Sequence, residues 1–565
     1  MWRLNGRTWV VALLIALSVG MGGPGETRDL ADTATVSGHV VTEAGDLLSG
    51  ATVRVQATDN HTRTDASGQF KLTGLREGVP ITVSAWKDAY YCAKVEDVVP
   101  PATGVVLSLH RYQTTDNPDY EWVPPVGAHS CMSCKPGVTR IWLENAHAEA
   151  AINPRFLTMY NGTDMHGRQS PPTRYGYNRD YGSFPLPPDP DLPYYGPGYK
   201  LDFPDSKGNC AACHTPGAAV DAAYDTDPNM ASGADLYGVH CDFCHKVADV
   251  ELEPTTGMPF ANMPGVLSME VRRPFTDDPE RFQLFFGTFD DDNVPEEDTY
   301  LPLIETSQFC AACHFGVFWD TVVYNSFGEW LDSPYSDPLF SGAQTCQQCH
   351  MPAPSMLGGE PITNVAPTQG GVERDPQTIH AHIQLGARHP EFLQEAVTMH
   401  ATASRNADAL TVEVRITNDK TGHHVPTDSP LRHLILLVKA TTADGRQLQQ
   451  VSGPTVPDWG GVGDPEDGYY AGLPGKAFAK VLEELWTEVS PTGAYWNPTR
   501  VLSDNRIPAL ATDKSEYAFT APERGDVNVE VTLIYRRAYK ELMDWKKWEV
   551  PDVVMERLVL RVEHR

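Results

Sequence analysis

The sequence predicts a multidomain protein in which two β-sandwiches flank a central domain of mainly helical or irregular structure. A length of 565 residues exceeds that of one ordinary domain. Short runs of alternating apolar and polar residues occur towards both ends of the chain, as in all-β domains. Between them lie five C-x-x-C motifs, separated by segments rich in proline and glycine. We therefore place domains at residues 34–110, 128–398 and 399–565, with a linker over residues 111–127.

Composition and charge limit the class of protein. Hydrophobic residues make up 41% and charged residues 21% of the sequence, as in globular rather than disordered or membrane-spanning proteins. There are 44 basic and 74 acidic residues, so the net charge is −30. This charge would repel the phosphate backbone of a nucleic acid, which we therefore exclude as a partner. It favours basic protein partners or cationic acceptors, although solubility alone explains an acidic surface equally well.

The first residues have the pattern of a secretory signal peptide. Arg3 and Arg7 precede an apolar run from Trp9 to about Val19, which small residues follow. This run is shorter than the roughly 20 residues that a transmembrane helix needs. We predict a signal peptide over residues 1–25, export to the periplasm, cell surface or extracellular medium, and no membrane span after its removal. A retained N-terminal anchor is the alternative.

The first predicted domain has the alternation of a β-sandwich. Runs such as "VSGHVVTEAGDLLSGATVRVQ" and "PITVSAW" are short and are broken by Gly, Asp and Asn. The segments "GDLLSGATVRV" and "TDASGQFKL" resemble the carboxypeptidase regulatory-like domain. The resemblance implies a transthyretin-like sandwich that supports folding or makes contacts rather than carrying out chemistry.

The central region is defined by its cysteines. Ten of the eleven belong to the five C-x-x-C motifs, and the remaining one, Cys92, is predicted to be a small buried hydrophobe. Four motifs are followed directly by histidine, which is the pattern of covalent haem c attachment. Two thiols at this spacing can each add to one vinyl group of the same porphyrin. The paired cysteines are Cys131, Cys134, Cys210, Cys213, Cys241, Cys244, Cys310, Cys313, Cys346 and Cys349.

The residue after each second cysteine is predicted to be the proximal iron ligand, since it can reach the iron of the attached porphyrin. These residues are Lys135, His214, His245, His314 and His350. Structural zinc sites are the competing explanation, because C-x-x-C pairs also bind zinc. Four repeats with histidine at the same place, in a chain predicted to be exported, favour haem. Five haem c groups are expected, and they would themselves form the core of the central domain.

The second axial side of each iron needs another ligand, for which the chain offers several histidines. His147 lies in the helix-like segment "IWLENAHAEAAINP", and His240 directly precedes Cys241. His382 follows the last motif, and His423 lies in "TGHHVPT". For any single one of them, an ordinary surface or hydrogen-bonded histidine is an equally good explanation. Further candidates are His129, His380 and His424.

Strand-like alternation returns after about Met399. It is clearest in "ALTVEVRITND", "HLILLVKATTADG" and "VNVEVTLIYRRAY", which predict a second β-sandwich. The histidines of "TGHHVPT" follow the first of these runs, so a loop could return His423 to a haem of the central domain. A turn with two polar histidines is the alternative.

Three segments resemble multihaem c-type cytochromes. They are "WLENAHAEAAINP", the last two motifs with their "CQQCHMP" ending, and the loop "GHHVPT". The resemblance covers about residues 128–427. It implies bis-histidine haems in close contact that exchange electrons, with His147 and His423 among the distal ligands.

The first motif, "CMSCK", ends in Lys135 and raises a second resemblance. Pentahaem cytochrome c nitrite reductases also carry one C-x-x-C-K followed by four C-x-x-C-H, and in them the lysine-ligated haem leaves its distal face open to substrate. The rest of that family's site is not matched. His245 is followed by "KVADV" rather than a nearby tyrosine, and no histidine occurs between His245 and His314.

Two functional hypotheses follow. The first is an exported electron-transfer cytochrome that passes electrons along its haems between redox protein partners or to an extracellular acceptor. The second is a reductase of nitrite, hydroxylamine or another small oxyanion at the Lys135 haem, although no catalytic residue beyond that haem can be assigned. A third hypothesis is that the sandwiches anchor the protein in an oligomer, a cell-surface assembly or a filament.

Overall fold

A computed structural model describes residues 33–275, 283–294, 297–406 and 409–564. The predicted signal peptide, residues 1–25, lies outside the described residues. Within the described ranges, no helix has both the length and the apolar character that crossing a bilayer requires.

The N-terminal domain is a β-sandwich of seven strands. One sheet has the order β4-β1-β7 and the other the order β3-β2-β5-β6. The strands are β1 (Ala34–Thr42), β2 (Thr52–Val55), β3 (His61–Arg63), β4 (Gln69–Leu75), β5 (Ile81–Trp86), β6 (Ala93–Val98) and β7 (Ala102–Leu109).

Alternation in the sequence explains how this sandwich forms. In β1, every second side chain from Ala34 to Val40 is buried, so one face of the strand meets the core. Gly38 allows β7 to pair in parallel with β1, because a Cβ atom at this position would lie 1.8 Å from the carbonyl oxygen of Val105. The two sheets share one apolar core, as the sequence predicts.

The central domain is built from short helices and two-stranded sheets. Its helices have between four and eight residues, too few to be stable without tertiary contacts. They are α1 (Cys131–Cys134), α2 (Pro136–Trp142), α3 (Pro154–Asn161), α4 (Tyr199–Asp202), α5 (Ala211–His214), α6 (Pro216–Ala219), α7 (Cys241–Cys244), α8 (Gln308–Ala311), α9 (Ser326–Leu331), α10 (Cys346–His350) and α11 (Pro390–Gln394).

Four two-stranded sheets accompany these helices, in the pairs β8-β9, β10-β11, β12-β13 and β14-β15. The strands are β8 (Tyr175–Asn178), β9 (Gly182–Pro185), β10 (Val247–Val250), β11 (Met269–Val271), β12 (Phe285–Gly287), β13 (Asp298–Tyr300), β14 (Gly316–Phe318) and β15 (Thr321–Tyr324).

The C-terminal domain contains two four-stranded sheets, β16-β17-β23-β19 and β20-β18-β24-β25, and the hairpin β21-β22. The two sheets enclose the largest apolar core of the described residues. One helix, α12 (Lys540–Lys546), follows β24. The strands are β16 (Thr398–Asn406), β17 (Ala409–Thr417), β18 (His433–Thr442), β19 (Gln450–Ser452), β20 (Gly475–Phe478), β21 (Lys480–Glu484), β22 (Thr499–Asp504), β23 (Thr512–Thr520), β24 (Val527–Arg536) and β25 (Val553–Val562).

The segment predicted as a linker, residues 111–127, packs on the central domain. The hydroxyl of Tyr120 is buried and donates a hydrogen bond of 2.9 Å to Asp242. The Trp122 indole donates to the carbonyl oxygen of Gly217 at 3.1 Å. Aromatic residues in this segment therefore pack against the motif region.

The central and C-terminal domains share a polar interface. Lys546 of α12 is buried, and its ammonium donates to the carbonyl oxygens of Thr158 at 3.0 Å and Thr163 at 3.1 Å. Arg506 forms a buried ion pair of 2.6 Å with Glu329 of α9. Buried charges are costly without partners, so these contacts fix the relative position of the two domains.

Candidate functional site: a cavity built by the C-x-x-C motifs

A cavity of about 1120 Å³ occupies the centre of the molecule. Typical pockets for one small molecule have about 300–1,000 Å³, so this cavity exceeds the volume that a single such ligand needs. All five motifs contribute to its wall. Their lining residues are Lys135, Cys210, Cys213, His214, Cys241, Cys244, His245, Cys310, Cys313, His314, Gln347 and Gln348.

Local structure directs both cysteines of a motif towards the same side. Cys131 and Cys134 begin and end α1, and Cys241 and Cys244 begin and end α7. Residues three apart lie on one face of a helix, so two thiols reach one edge of a bound ring. The helices start at capped positions. In α10, for example, the side chain of Thr345 accepts a hydrogen bond from the backbone N–H of Gln348.

The motifs are also close to one another. All eleven cysteines are described as free thiols. Three pairs of thiols from different motifs lie close enough to shift each other's pKa, namely Cys131 with Cys241, Cys213 with Cys313, and Cys310 with Cys346. Groups attached to these cysteines would therefore be neighbours.

Burial also acts on the thiols themselves. It raises the pKa of Cys210 and of Cys244 to about 12, so both are protonated at neutral pH. Thiolate is the form that binds metal directly. Addition to a vinyl group, in contrast, starts from a thiol and leaves no charge in the apolar interior.

Three of the four motif histidines are held by backbone carbonyl groups. Nδ1 of His214 lies 3.4 Å from the carbonyl oxygen of Ala150. Nδ1 of His245 lies 2.5 Å from that of Phe286, and Nδ1 of His350 lies 2.5 Å from that of Leu385. A carbonyl oxygen only accepts, so each of these imidazoles carries its proton on Nδ1. Nε2 is left with a free lone pair, which is the arrangement that iron ligands require.

The fourth motif histidine, His314, faces a carboxylate instead. Its Nδ1 atom lies 3.9 Å from Oδ1 of Asp428, in the loop between β17 and β18. Asp428 adopts a positive φ of 67°, which is uncommon for a residue other than glycine. The C-terminal domain therefore contributes a charged group beside this motif.

Three motif histidines face a second histidine from a distant part of the chain. The ring centroids are 6.2 Å apart in each of the pairs His314 with His147, His245 with His382, and His350 with His423. Two imidazoles on opposite sides of one metal, with metal–nitrogen bonds of about 2.0 Å, have centroids roughly 6.2 Å apart. The spacing of all three pairs fits a bis-histidine iron.

Burial keeps five of the six paired histidines neutral. Burial lowers the pKa of His147, His350 and His382 to about 4 and that of His245 to about 3. It also lowers the pKa of His423, although Glu329 acts in the opposite direction. A neutral imidazole is the form that coordinates a metal, so protons do not compete with iron at these positions.

The cavity, the paired thiols and the opposed imidazoles together fit haem c. The residues that would hold it are the ten paired cysteines, and the three histidine pairs would supply six axial nitrogens. His214 has a different neighbour, since its ring stacks on Phe156 with centroids 3.7 Å apart.

Lys135 lies in a different environment from the motif histidines. Its Nζ atom is 4.7 Å from the centroid of the Phe285 ring, and Phe285 stacks on His245 with centroids 3.8 Å apart. The charge of Lys135 also acts on the carboxylates of Glu297 and Asp298. Burial raises the pKa of Asp298 to about 6, with Lys135 acting in the opposite direction.

The other candidate histidines occupy varied positions. His380 lines the cavity, with Nδ1 2.8 Å from the carbonyl oxygen of Met351. His240 is fully buried, but its Nε2 points to Asp235 at 3.5 Å and its Nδ1 accepts from the backbone of Phe243. It is not among the described residues that line the cavity. His424 lies beside Glu329, and His129 is exposed.

Several functional residues carry no motif signal. Phe285 and Asp298 lie in three-residue strands and Asp428 lies in a loop, and none of them belongs to a recognisable motif. The run "FDDDNVPEEDTY", residues 289–300, has a high density of acidic residues next to two aromatics. That density is the one signal that could have drawn attention to Asp298.

Comparison with known proteins agrees with this architecture. Residues 35–109 match the family model of the carboxypeptidase regulatory-like domain. No curated protein matches the sequence. Among solved structures, a pentahaem cytochrome c552 from Thermochromatium tepidum is similar, with 20% identity and a TM-score of 0.50. The alignment covers 78% of this chain and 100% of that chain.

Two other solved structures share only part of the chain. A cohesin–X-dockerin complex from Acetivibrio cellulolyticus covers 13% of this chain and 51% of its own, with 25% identity and a TM-score of 0.11. A human ASH/PapD-like domain covers 30% of this chain and 87% of its own, with 11% identity and a TM-score of 0.12. The chain thus combines an N-terminal carboxypeptidase regulatory-like domain with a larger region whose fold is similar to that of a pentahaem cytochrome c552.

Proposed function

We propose that the protein is an exported multihaem c-type cytochrome that transfers electrons along closely packed haems between redox partners. One observation carries the proposal. Three motif histidines face three distant histidines at the ring separation of 6.2 Å that a shared iron requires. An iron with two imidazole ligands has no open position for substrate, which favours electron transfer over catalysis.

The residues have distinct tasks in this proposal. The paired cysteines attach each porphyrin covalently, and the backbone carbonyl groups fix the imidazole tautomer so that Nε2 faces the iron. The buried, apolar wall excludes water and thereby influences the reduction potential. When bound, haem supplies a one-electron couple. Because thiols of different motifs lie close together, attached haems would be near enough to exchange electrons.

The acidic surface indicates which redox partners the protein would attract. With a net charge of −30, the protein would attract basic protein surfaces or cationic acceptors and would bind them less tightly at high salt. We expect such redox partners in the periplasm, at the cell surface or outside the cell.

A reductase of nitrite, hydroxylamine or a related small oxyanion at the Lys135 haem is the second candidate. No histidine faces Lys135 among the ring contacts of the described residues, in contrast to His245, His314 and His350, so its haem would have a distal side without an assigned ligand. This candidate predicts one high-spin iron that binds cyanide or nitric oxide. Electron transfer alone predicts six-coordinate, low-spin iron throughout.

Mass spectrometry and electron paramagnetic resonance of the purified, oxidised protein test both candidates. Five haems are expected per chain, and four would show that "CMSCK" carries none. A spectrum without a high-spin signal would contradict the reductase.

The variant His423→Ala, with His424→Ala as the matched neighbour, tests the ligand pairing. We expect the first to convert one low-spin haem to high spin and the second to leave the spectrum unchanged. An unchanged spectrum for His423→Ala would contradict the pairing of His423 with His350.

A further inference from the structure

The N-terminal sandwich holds one specific segment of the motif region. This segment, residues 283–294 and 297–300, contains β12 and β13 and lines the cavity near Lys135. Contacts with the sandwich occur along its whole described length, although the two regions are far apart in sequence. The sandwich therefore determines where the segment lies relative to Lys135.

Hydrogen bonds and one ion pair form this contact. The Trp86 indole donates to the hydroxyl of Thr299 at 3.0 Å, and the backbone N–H of Cys92 donates to the carbonyl oxygen of Asp298 at 3.1 Å. Arg54 forms an ion pair of 2.6 Å with Asp290. Strand β13 and the loop that precedes it are thus held by residues of the N-terminal sandwich.

Asp298 is placed beside Lys135 by strand register. Asp298 and Phe285 are partners in the parallel pair of β12 and β13, and paired side chains of neighbouring strands lie on the same face. The Nζ atom of Lys135 is 4.7 Å from the centroid of the Phe285 ring. The amine and the carboxyl group therefore approach the same point of the cavity wall.

The two oxygens of this carboxyl group differ in their partners. Oδ2 accepts from the backbone N–H groups of Asn293 at 3.1 Å and Val294 at 3.2 Å. Oδ1 has no hydrogen-bond partner among the described residues, although Asp298 is only 8% exposed. A buried acceptor without a donor is costly, so a donor is to be expected from the cavity side.

An iron-bound lysine supplies such a donor. To bind iron, the amine must lose one proton, and it then keeps two N–H bonds that point away from the metal. Three of the four motif histidines direct Nδ1 to a carbonyl oxygen, whereas the carboxyl group that shares the cavity wall with Lys135 is that of Asp298. We propose that Asp298 is the positioning residue for Lys135, accepting a hydrogen bond from its amine when that amine ligates the iron of the first motif.

This inference rests on the proposed function, because it requires a haem on the first motif. It gives the N-terminal sandwich a role, namely to hold β13 so that Asp298 meets the amine. A carboxylate acceptor makes a ligand more electron-donating, which stabilises ferric iron. Asp298 would therefore keep the potential of the Lys135 haem low.

The test compares Asp298→Asn with the wild type in a potentiometric titration monitored by electron paramagnetic resonance. We expect the midpoint potential of one of the five haems to rise while the others keep theirs. Glu297→Gln is the matched control, since Glu297 is the adjacent carboxylate and also feels Lys135. A shift in Glu297→Gln but none in Asp298→Asn would overturn the proposal, as would superimposable titrations of all three proteins.

Haem counting separates this inference from the proposed function. Four haems in the wild type would contradict the loading of the first motif itself. A further possible outcome is that the wild type carries five haems and Asp298→Asn carries four. This outcome would support the inference if Asp298→Glu, which keeps a carboxylate at this position, again carries five haems. If Asp298→Glu does not restore the fifth haem, the inference is wrong.

Discussion

The central region and the C-terminal domain differ in what fills their interiors. In the C-terminal domain, two sheets enclose a continuous cluster of apolar side chains, many of them with no exposed surface. The central region has helices of at most eight described residues around a cavity of about 1120 Å³. The C-terminal domain can be stable through contacts between its own side chains. The central region, in contrast, contains a volume that its own side chains do not fill and that an added group would occupy.

This difference predicts different consequences of cofactor loss. A domain whose interior is apolar side chains loses little when a haem is missing elsewhere. A domain whose interior is the cofactor loses the atoms that its wall would contact, and contacts at the wall of a void are lost outright. Three predictions test the contrast.

The largest effect is expected from removing one attachment site, with the double variant Cys310→Ser/Cys313→Ser. The chain should lose the mass of one haem, and the central region should lose its cooperative unfolding transition, since the two thiols lie close to thiols of neighbouring motifs. Mass spectrometry and thermal unfolding followed at the haem absorbance measure both effects. Cys92→Ala is the control and should keep every haem. An unchanged transition in the double variant would contradict the idea that haem forms the core.

A smaller effect is expected in the C-terminal core from Leu436→Ala. Leu436 in β18 has no exposed surface, and truncating such a leucine lowers the free energy of unfolding by about 2–5 kcal/mol. Chemical denaturation followed by far-ultraviolet circular dichroism measures the change, and haem content should stay the same. Leu437→Ala, at the half-buried neighbouring position, should cost less. Equal costs would show that this core is not the main source of the domain's stability.

The smallest effect is expected on the stability of the fold at acid pH, through protonation of His433. This histidine is fully buried, and its ring stacks on that of Tyr539 with centroids 5.0 Å apart. Its pKa is lowered to about 3, mainly by burial and to a smaller extent by the charge of Arg536. Its ordinary pKa in the unfolded chain is about 6.5. Between these values only the unfolded state binds the proton, so stability falls as the pH decreases from about 6.5 towards 3.

His433→Phe should reduce that loss, because phenylalanine keeps the aromatic contact and cannot be protonated. Denaturation midpoints measured between pH 7 and about 4 test this expectation. His400→Gln, at an exposed position, should leave the pH dependence as in the wild type. A His433→Phe protein as acid-sensitive as the wild type would indicate that other groups control it.

Predictions from local pattern were reliable where contacts follow strand alternation. The N-terminal sandwich agrees with its predicted range and with the carboxypeptidase regulatory-like model over residues 35–109. In the C-terminal region the alternating runs became β17, β18 and β24. Within residues 111–127 local pattern says less, because the burial of Tyr120 depends on Asp242, which lies far away in sequence.

The proline-rich loop shows the same limit. The proline, glycine and aromatic residues of the segment 170–205 predict an ordered loop that covers the cofactors, and Tyr199 and Phe203 line the cavity. Phe184, however, stacks on Trp486 of the C-terminal domain, with ring centroids 5.6 Å apart. Aromatic composition predicts that a loop is ordered, but it does not tell which surface orders it.

For the candidate site, the attachment chemistry is a prediction that the sequence makes without the structure. Two cysteines three positions apart lie on one face of a helical turn, and the next residue is close enough to reach the same metal, so spacing alone predicts the ligand set of each motif. The distinct character of the first motif, which ends in Lys135, is also visible in the sequence.

Only the tertiary structure decided which distant groups meet these motifs. His147, His382 and His423 each face a motif histidine from another part of the chain, and a strand pair held by the N-terminal sandwich brings Asp298 to the cavity wall that Lys135 also lines. Histidines outside motifs look alike in sequence, and His240 adjoins a motif yet points to Asp235. The physical reason is that covalent spacing acts within one turn of helix, whereas the facing histidines are brought together by packing between segments that are distant in the sequence.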